Sequence, residues 1–192
     1  MHSLLVLYYS RHGSTRQLAR HIARGIEQVN GCEAILRTVI DIDSQGNLMA
    51  DDGRDPVVSR SDLEQCIGLA MGSPVRFGNM AAPLKHFIDS TSAQWLQGTL
   101  IGKPACVFTA SSSLHGGQET TLQSMMLPLL HHGMLIVGLP YSEPALHTTR
   151  SGGTPYGPSH FHHDNGAALS QEECELAQAC GKRLAEAALK LR

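Results

Sequence analysis

The sequence predicts one α/β domain over residues 1–192, built on a doubly wound, five-stranded parallel sheet of order 2-1-3-4-5 with helices on both faces. Three observations predict it. Val-, Ile- and Leu-rich runs recur at 4–9, 34–40, 66–72, 105–110 and 134–139 without polar alternation, so each reads as a strand buried on both faces. Between the runs the apolar spacing turns helical, and alternating strand and helix fold by right-handed crossovers into a parallel sheet. A chain of 192 residues is long enough for one well-buried core and short for two.

The elements follow in order. Leu4-Leu5-Val6-Leu7-Tyr8-Tyr9 is the first strand, and residues 14–29 set Leu18, Ile22, Ile26 and Val29 on one helical stripe. Residues 34–40 form the second strand, and the polar, Asp- and Gly-rich stretch 41–60 reads as an irregular excursion. The third strand, 66–72, leads into a helix over 79–91; the fourth, 105–110, leads into a helix over 117–132. After the fifth strand, residues 139–168 make a connection far longer than the roughly 2–6 residues usual in such folds, and it reads as an ordered subunit contact or site wall, with a floppy hairpin as the alternative. Ser170 and Glu173 form a capping box for a last helix over 170–191, with Leu176, Cys180, Leu184 and Leu191 on one face.

Composition removes several function classes. Fifteen Lys and Arg against seventeen Asp and Glu give a net charge of −2, and no basic stripe could follow a phosphate backbone, so nucleic acid is not an expected partner. No apolar run approaches the roughly 20 residues a bilayer requires, so no membrane insertion is expected. The five cysteines contain no C-x-x-C pair and read as buried, reduced thiols, which together with the absence of a leader pattern points to the cytoplasm. His160 to Asp164, "HFHHD", is not read as a metal site, because its histidines are almost adjacent and no spaced further ligand accompanies them.

The chemistry lies in three loops. In a doubly wound sheet, ligands bind beyond the carboxyl ends of the strands, where loops run into helix N-termini. The first is Ser10, Arg11, His12, Gly13, Ser14 and Thr15: three hydroxyls, one glycine and a helix start, which suit a phosphate. Ser14 with Gln17 reads equally as a capping box with nothing bound. The loop has no G-x-x-x-x-G-K-[ST], no G-x-G-x-x-G and no cysteine nucleophile, so it suits holding a phosphate without cleaving it. The third strand exits through Pro74, Val75, Arg76, Phe77, Gly78 and Asn79, where an aromatic face could line a planar ring; the fourth exits through Ser111, Ser112, Ser113, Leu114, His115 and Gly116. In the order 2-1-3-4-5 these loops share one crevice, which describes a site for a mononucleotide with a large flat base.

"VLYYSRHGST", "GSPVRFGNM", Trp95 after "IDSTSAQ", "GGQET", "HHGM" and "GGTPYG", in this order along nearly the whole chain, resemble the WrbA-type NAD(P)H:quinone oxidoreductases of the flavodoxin-like superfamily. The resemblance implies FMN, its phosphate at residues 10–15 and its isoalloxazine edge at 74–79 and 111–116. It gives His131 a flavin contact and Trp95 a wall for a stacking quinone, close to the flavin of an adjacent subunit, and it places His12 toward the nicotinamide nucleotide. His132 reads as structural. It further implies a homo-tetramer, NADH or NADPH as donor, a small-molecule quinone as acceptor, and hydride transfer through flavin N5 with both substrates taking turns. The chain departs from many relatives in carrying Ser112-Ser113-Leu114-His115 where they are glycine-rich, and His12 where they are aromatic. Two other readings remain open: a non-enzymatic, flavodoxin-type electron carrier, and an interaction protein that has kept only the fold.

Overall fold

The computed structural model describes residues 1–50, 53, 55–162 and 168–192. Its elements run β1 (His2–Tyr8), α1 (Ser14–Glu27), β2 (Cys32–Thr38), α2 (Arg60–Gln65), β3 (Leu69–Pro74), α3 (Ala82–Asp89), α4 (Ser92–Leu96), β4 (Pro104–Ser111), α5 (Gln118–His131), β5 (Leu135–Ile136), α6 (Ala145–Thr148), β6 (Ser159–Phe161) and α7 (Gln171–Lys190). The sheet has the order β2-β1-β3-β4-β5 with every pair parallel, and β6 adds to β4.

Strand periodicity divides the core into two layers. Leu4, Val6 and Tyr8 face α1 and α7, while Leu5, Leu7 and Tyr9 face the α3 and α5 side with Leu84, Leu122 and Met125. The helices α1 and α7 approach so closely that a Cβ on Gly25 would lie 2.0 Å from the Gln178 carbonyl oxygen, and one on Gly181 would lie 2.0 Å from that of Ile22. Glycine at both contacts lets the two backbones touch.

β1, β3 and β4 are buried on both faces as expected, but β2 is not: beyond Cys32 it is half-exposed, because it is the sheet's outer strand. The fifth strand shrinks to Leu135–Ile136, which pair only with the start of β4. The far half of β4 is covered instead by β6, through Thr109–Ser159, Ala110–His160 and Ser111–Phe161. The helix expected over 79–91 begins three residues later and is followed by a separate α4, with Pro83 in the first turn of α3, where a missing N–H costs nothing. Within 41–60 the chain makes bridges at Ile42–Leu48 and Thr38–Val57, and α2 follows behind a Ser59–Asp62 capping box; residues 51, 52 and 54 of that excursion lie outside the described residues. Of the long connection over 139–168, residues 139–162 are tied down, since Leu139 N–H donates to Pro155 O at 2.9 Å and Thr109 N–H to Pro158 O at 3.1 Å; residues 163–167, with the end of the "HFHHD" segment, lie outside the described residues.

Candidate functional site

β1 delivers the first loop to the carboxyl edge of the sheet, and Gly13, at φ 97°, turns it into α1. A residue with a Cβ adopts that angle at a cost, so the glycine sets the loop's shape. The Ser14–Gln17 capping box does not form, because the N-cap is Gly13 and makes no side-chain bond. Ser10 Oγ instead accepts from the N–H groups of Gly13 at 3.1 Å and Arg16 at 3.3 Å. The N–H groups and hydroxyls of Ser14 and Thr15 have no hydrogen-bond partner among the described residues, and both residues line a cavity of about 330 Å³. Unpaired donors at the positive end of a helix fit a phosphate.

All three loops meet in that cavity. Ser10, Arg11, His12, Ser14 and Thr15 line one side, Pro74, Val75 and Arg76 another, and Ser111, Ser112, Ser113 and Gly116 a third. Phe77, Gly78 and Asn79 are not in its wall; they form a tight turn at the β3 exit, in which Arg76 and Asn79 exchange backbone hydrogen bonds of 2.8 and 3.0 Å. Phe77 and Gly78 have φ of 52° and 73°, the signature of a type I′ turn, and the Phe77 ring is fully exposed. An aromatic residue in the left-handed region costs about 1–2 kcal/mol. The fourth loop is folded on itself: Ser111 Oγ donates to Ser113 O at 2.6 Å, and Gln118 Nε2 donates to the same oxygen at 2.7 Å. Leu114 and His115 lie in that loop outside the cavity wall, while Ala110 and His162, which the motifs did not indicate, belong to it. No local pattern marks His162, which reaches the site because β6 pairs with β4 and its N–H donates to Ser111 O at 2.8 Å.

A second cavity of about 370 Å³ opens on the other side of the first loop, between Arg16 and Asp41. Its floor is fixed by Tyr9, whose hydroxyl donates to Asp41 at 2.9 Å, and by Tyr8, bonded to Asp55. Burial and the Asp41 carboxylate push the Tyr9 hydroxyl up to about 12, so it stays a donor at neutral pH.

Trp95 and His131 stand together elsewhere. Trp95 Nε1–H donates to the His131 carbonyl at 2.8 Å, and both line a cleft of about 370 Å³ with Asp89, Thr91 and His132. α5 begins beside the first cavity and ends at His131, and its 14 residues span about 21 Å, so within one chain the two places do not meet. Thr91 Oγ donates to Ile88 O at 2.6 Å, which leaves His132 Nε2 as the donor in its 3.0 Å bond to that hydroxyl. His132 is thereby held in one tautomer.

Residues 3–143 match the family described as NADPH-dependent FMN reductase. The chain belongs to that family. As a member of the FMN reductase family, it is similar over its length to two proteins named NAD(P)H dehydrogenase (quinone): one from Chromohalobacter salexigens at 40% identity, covering 100% of this chain and 99% of the relative, and one from Solidesulfovibrio magneticus at 37%, covering 99% of each. Among solved structures it is similar to a WrbA-like flavodoxin from Agrobacterium tumefaciens, with a TM-score of 0.70, 26% identity and complete coverage of both chains. The flavodoxin-like fold of this FMN reductase family member is thus reached from sequence, topology and likeness alike.

Proposed function

We propose that the protein is an FMN-dependent NAD(P)H:quinone oxidoreductase that moves two electrons from NADH or NADPH to a quinone, the two substrates taking turns over one face of the cofactor. The carrying observation is the cavity in which unpaired Ser14 and Thr15 donors at a helix N-terminus stand opposite two ring-edge loops. FMN would supply the redox chemistry, taking a hydride equivalent at N5 and passing it on. The chain would hold the phosphate at Ser10–Thr15 and wall the ring with Pro74, Val75, Arg76, Ser111, Ser112, Ser113 and Gly116. Among the described residues no helix is long and apolar enough to cross a membrane.

Trp95 and His131 fit the proposal as contributions to the site of a neighbouring subunit in a homo-tetramer. Trp95 at 50%, Leu96 at 77%, Leu127 at 61% and Leu130 at 53% exposure give the α4–α5 face an apolar surface suited to association. A light-scattering mass equal to one chain, at micromolar protein with FMN present, would remove this arrangement.

The direct experiment is the absorption spectrum of the purified protein, followed by NADH without oxygen. A yellow protein that bleaches within the turnover time supports the oxidoreductase; slow or absent bleaching favours an electron carrier. Replacing Thr15 with valine removes one hydroxyl and keeps its shape, and should weaken FMN by about 1.5–3 kcal/mol, the worth of a hydrogen bond to a charged group. Fluorescence titration of the apoprotein reads this loss. Riboflavin, which has no phosphate, should bind both forms equally; an equal loss with riboflavin would move the phosphate away from Thr15.

For Trp95→Ala, the half-exposed side chain predicts little change in Tm and intact FMN content. Quinone kcat/KM should fall several-fold, as aromatic stacking contributes about 0.5–1.5 kcal/mol beyond area burial. A variant with normal quinone kinetics and lowered Tm would make Trp95 a packing residue.

A further inference from the structure

We infer that His162 is the acid that gives a proton to the quinone oxygen as the quinone is reduced, and that the buried His160–Glu173 pair positions it. The inference rests on the proposed reaction and on its balance: NAD(P)H, a quinone and one proton give NAD(P)⁺ and a hydroquinone. The nicotinamide donor provides two electrons and one proton as hydride, so a second proton has to come from elsewhere. In that step an imidazolium N–H bond of His162 breaks, a hydroquinone O–H bond forms, and the neutral ring regains a proton from water entering the open cavity.

Among the described residues, two imidazoles line the cavity, His12 and His162. His12 is exposed and belongs to the loop assigned to the phosphate, whereas His162 hangs from Ser111 O, beside the loops assigned to the ring. Its Nδ1 is buried without a hydrogen-bond partner among the described residues, so the ring is not committed to a structural bond. The ring meets that of His160 edge to face, with centroids 6.2 Å apart and planes at 84°. His160 is 1% exposed and donates from Nδ1 to Glu173 Oε2 at 2.7 Å. Glu173, equally buried, also accepts from the N–H groups of Gly152 at 2.7 Å, Ser170 at 2.9 Å and Phe161 at 3.1 Å. Four donors leave the carboxylate no freedom to turn. Burial alone would raise its pKa, but the bonds from His160, Ser170 and Phe161 outweigh burial and lower it, so the group is ionised at neutral pH. A fixed carboxylate fixes His160, and His160 fixes the ring of His162. Positioned acids are most often histidines.

The test compares acceptors that differ in needing protons. FMN-loaded wild type and His162→Gln are reduced by NADH without oxygen, then mixed with a quinone or with ferricyanide, which takes electrons and no proton. His162→Gln should lose roughly 10²-fold in the ratio of reoxidation by quinone to reoxidation by ferricyanide, both measured on the FMN-loaded, NADH-reduced protein, the scale of a general acid. His160→Gln should lower the same quinone-to-ferricyanide ratio by a smaller factor, which loss of stability alone would not do. His162→Phe, which keeps a ring in place, carries the comparison if the glutamine variant fails to fold. Unchanged quinone reoxidation, or equal slowing with both acceptors, would overturn the assignment. Wild type that binds no FMN, or is not reduced by NADH, would instead overturn the oxidoreductase reading, and this inference with it.

Discussion

Glu173→Ala is expected to destabilise the protein by about 3–5 kcal/mol, the cost of removing one member of a buried pair. The substitution strips His160 of its partner, leaves the N–H group of Gly152 unpaired, removes the Phe161 bond to the carboxylate, and removes half of the capping box that starts α7. At about 2–4 °C per kcal/mol for a chain of this size, Tm should drop by about 6–20 °C. Acid provides an independent check. The folded-state pKa of Glu173 is lowered, so its contribution is fully present above the unfolded value of about 4.3 and is lost as pH falls through the folded value below it. Urea midpoints at descending pH should therefore show a stability loss below about pH 4.3 in the wild type that is shallower in Glu173→Gln. Parallel curves for the two would show that the carboxylate's charge is not what holds this corner.

Gly181→Ala and Gly25→Ala are each expected to cost about 3 kcal/mol or more, above the usual range for overpacking because the obstacle is backbone. Helix propensity alone argues the opposite sign, since alanine is favoured over glycine by about 0.8–1.0 kcal/mol inside a helix. The geometry decides: a Cβ at either position would stand 2.0 Å from a carbonyl oxygen of the facing helix, and a carbonyl oxygen cannot rotate away as a side chain can. Both substitutions push α1 from α7, so their effects should add to less than their sum, because the first separation makes room for the second. Denaturant midpoints of the two single variants and the double variant measure this. Full additivity, or either variant as stable as wild type, would show that the helices slide past the added carbon.

These features also mark what the sequence exposes. β1, α1 and α7 are legible because each carries its signal locally, as an unbroken apolar run, a stripe at helical spacing, or the Ser170–Glu173 box. The first loop, Ser10 to Thr15, is legible for the same reason. Ser159–Phe161 is different: it is a strand because β5 covers only the start of β4, leaving the rest of that strand's edge to be paired by whatever segment passes. That is a tertiary cause with no local trace, and His162 inherits its invisibility. α2 was concealed by its length of six residues, though its Ser59–Asp62 box is written in the chain. Trp95 and His131 can be picked out as residues, but their separation from the first cavity follows from the length of α5 and not from any motif.

The turn at Phe77 carries a backbone cost that its own side chain does not repay. A chain selected for stability alone would carry glycine or asparagine there, because the left-handed angle penalises phenylalanine and its exposed ring gains nothing from the fold. The Arg76–Asn79 backbone pair holds the turn closed, so the strained angle and the exposed ring are set by the chain's own hydrogen bonds. Position 77 is therefore where a thermostabilising screen would select away from phenylalanine.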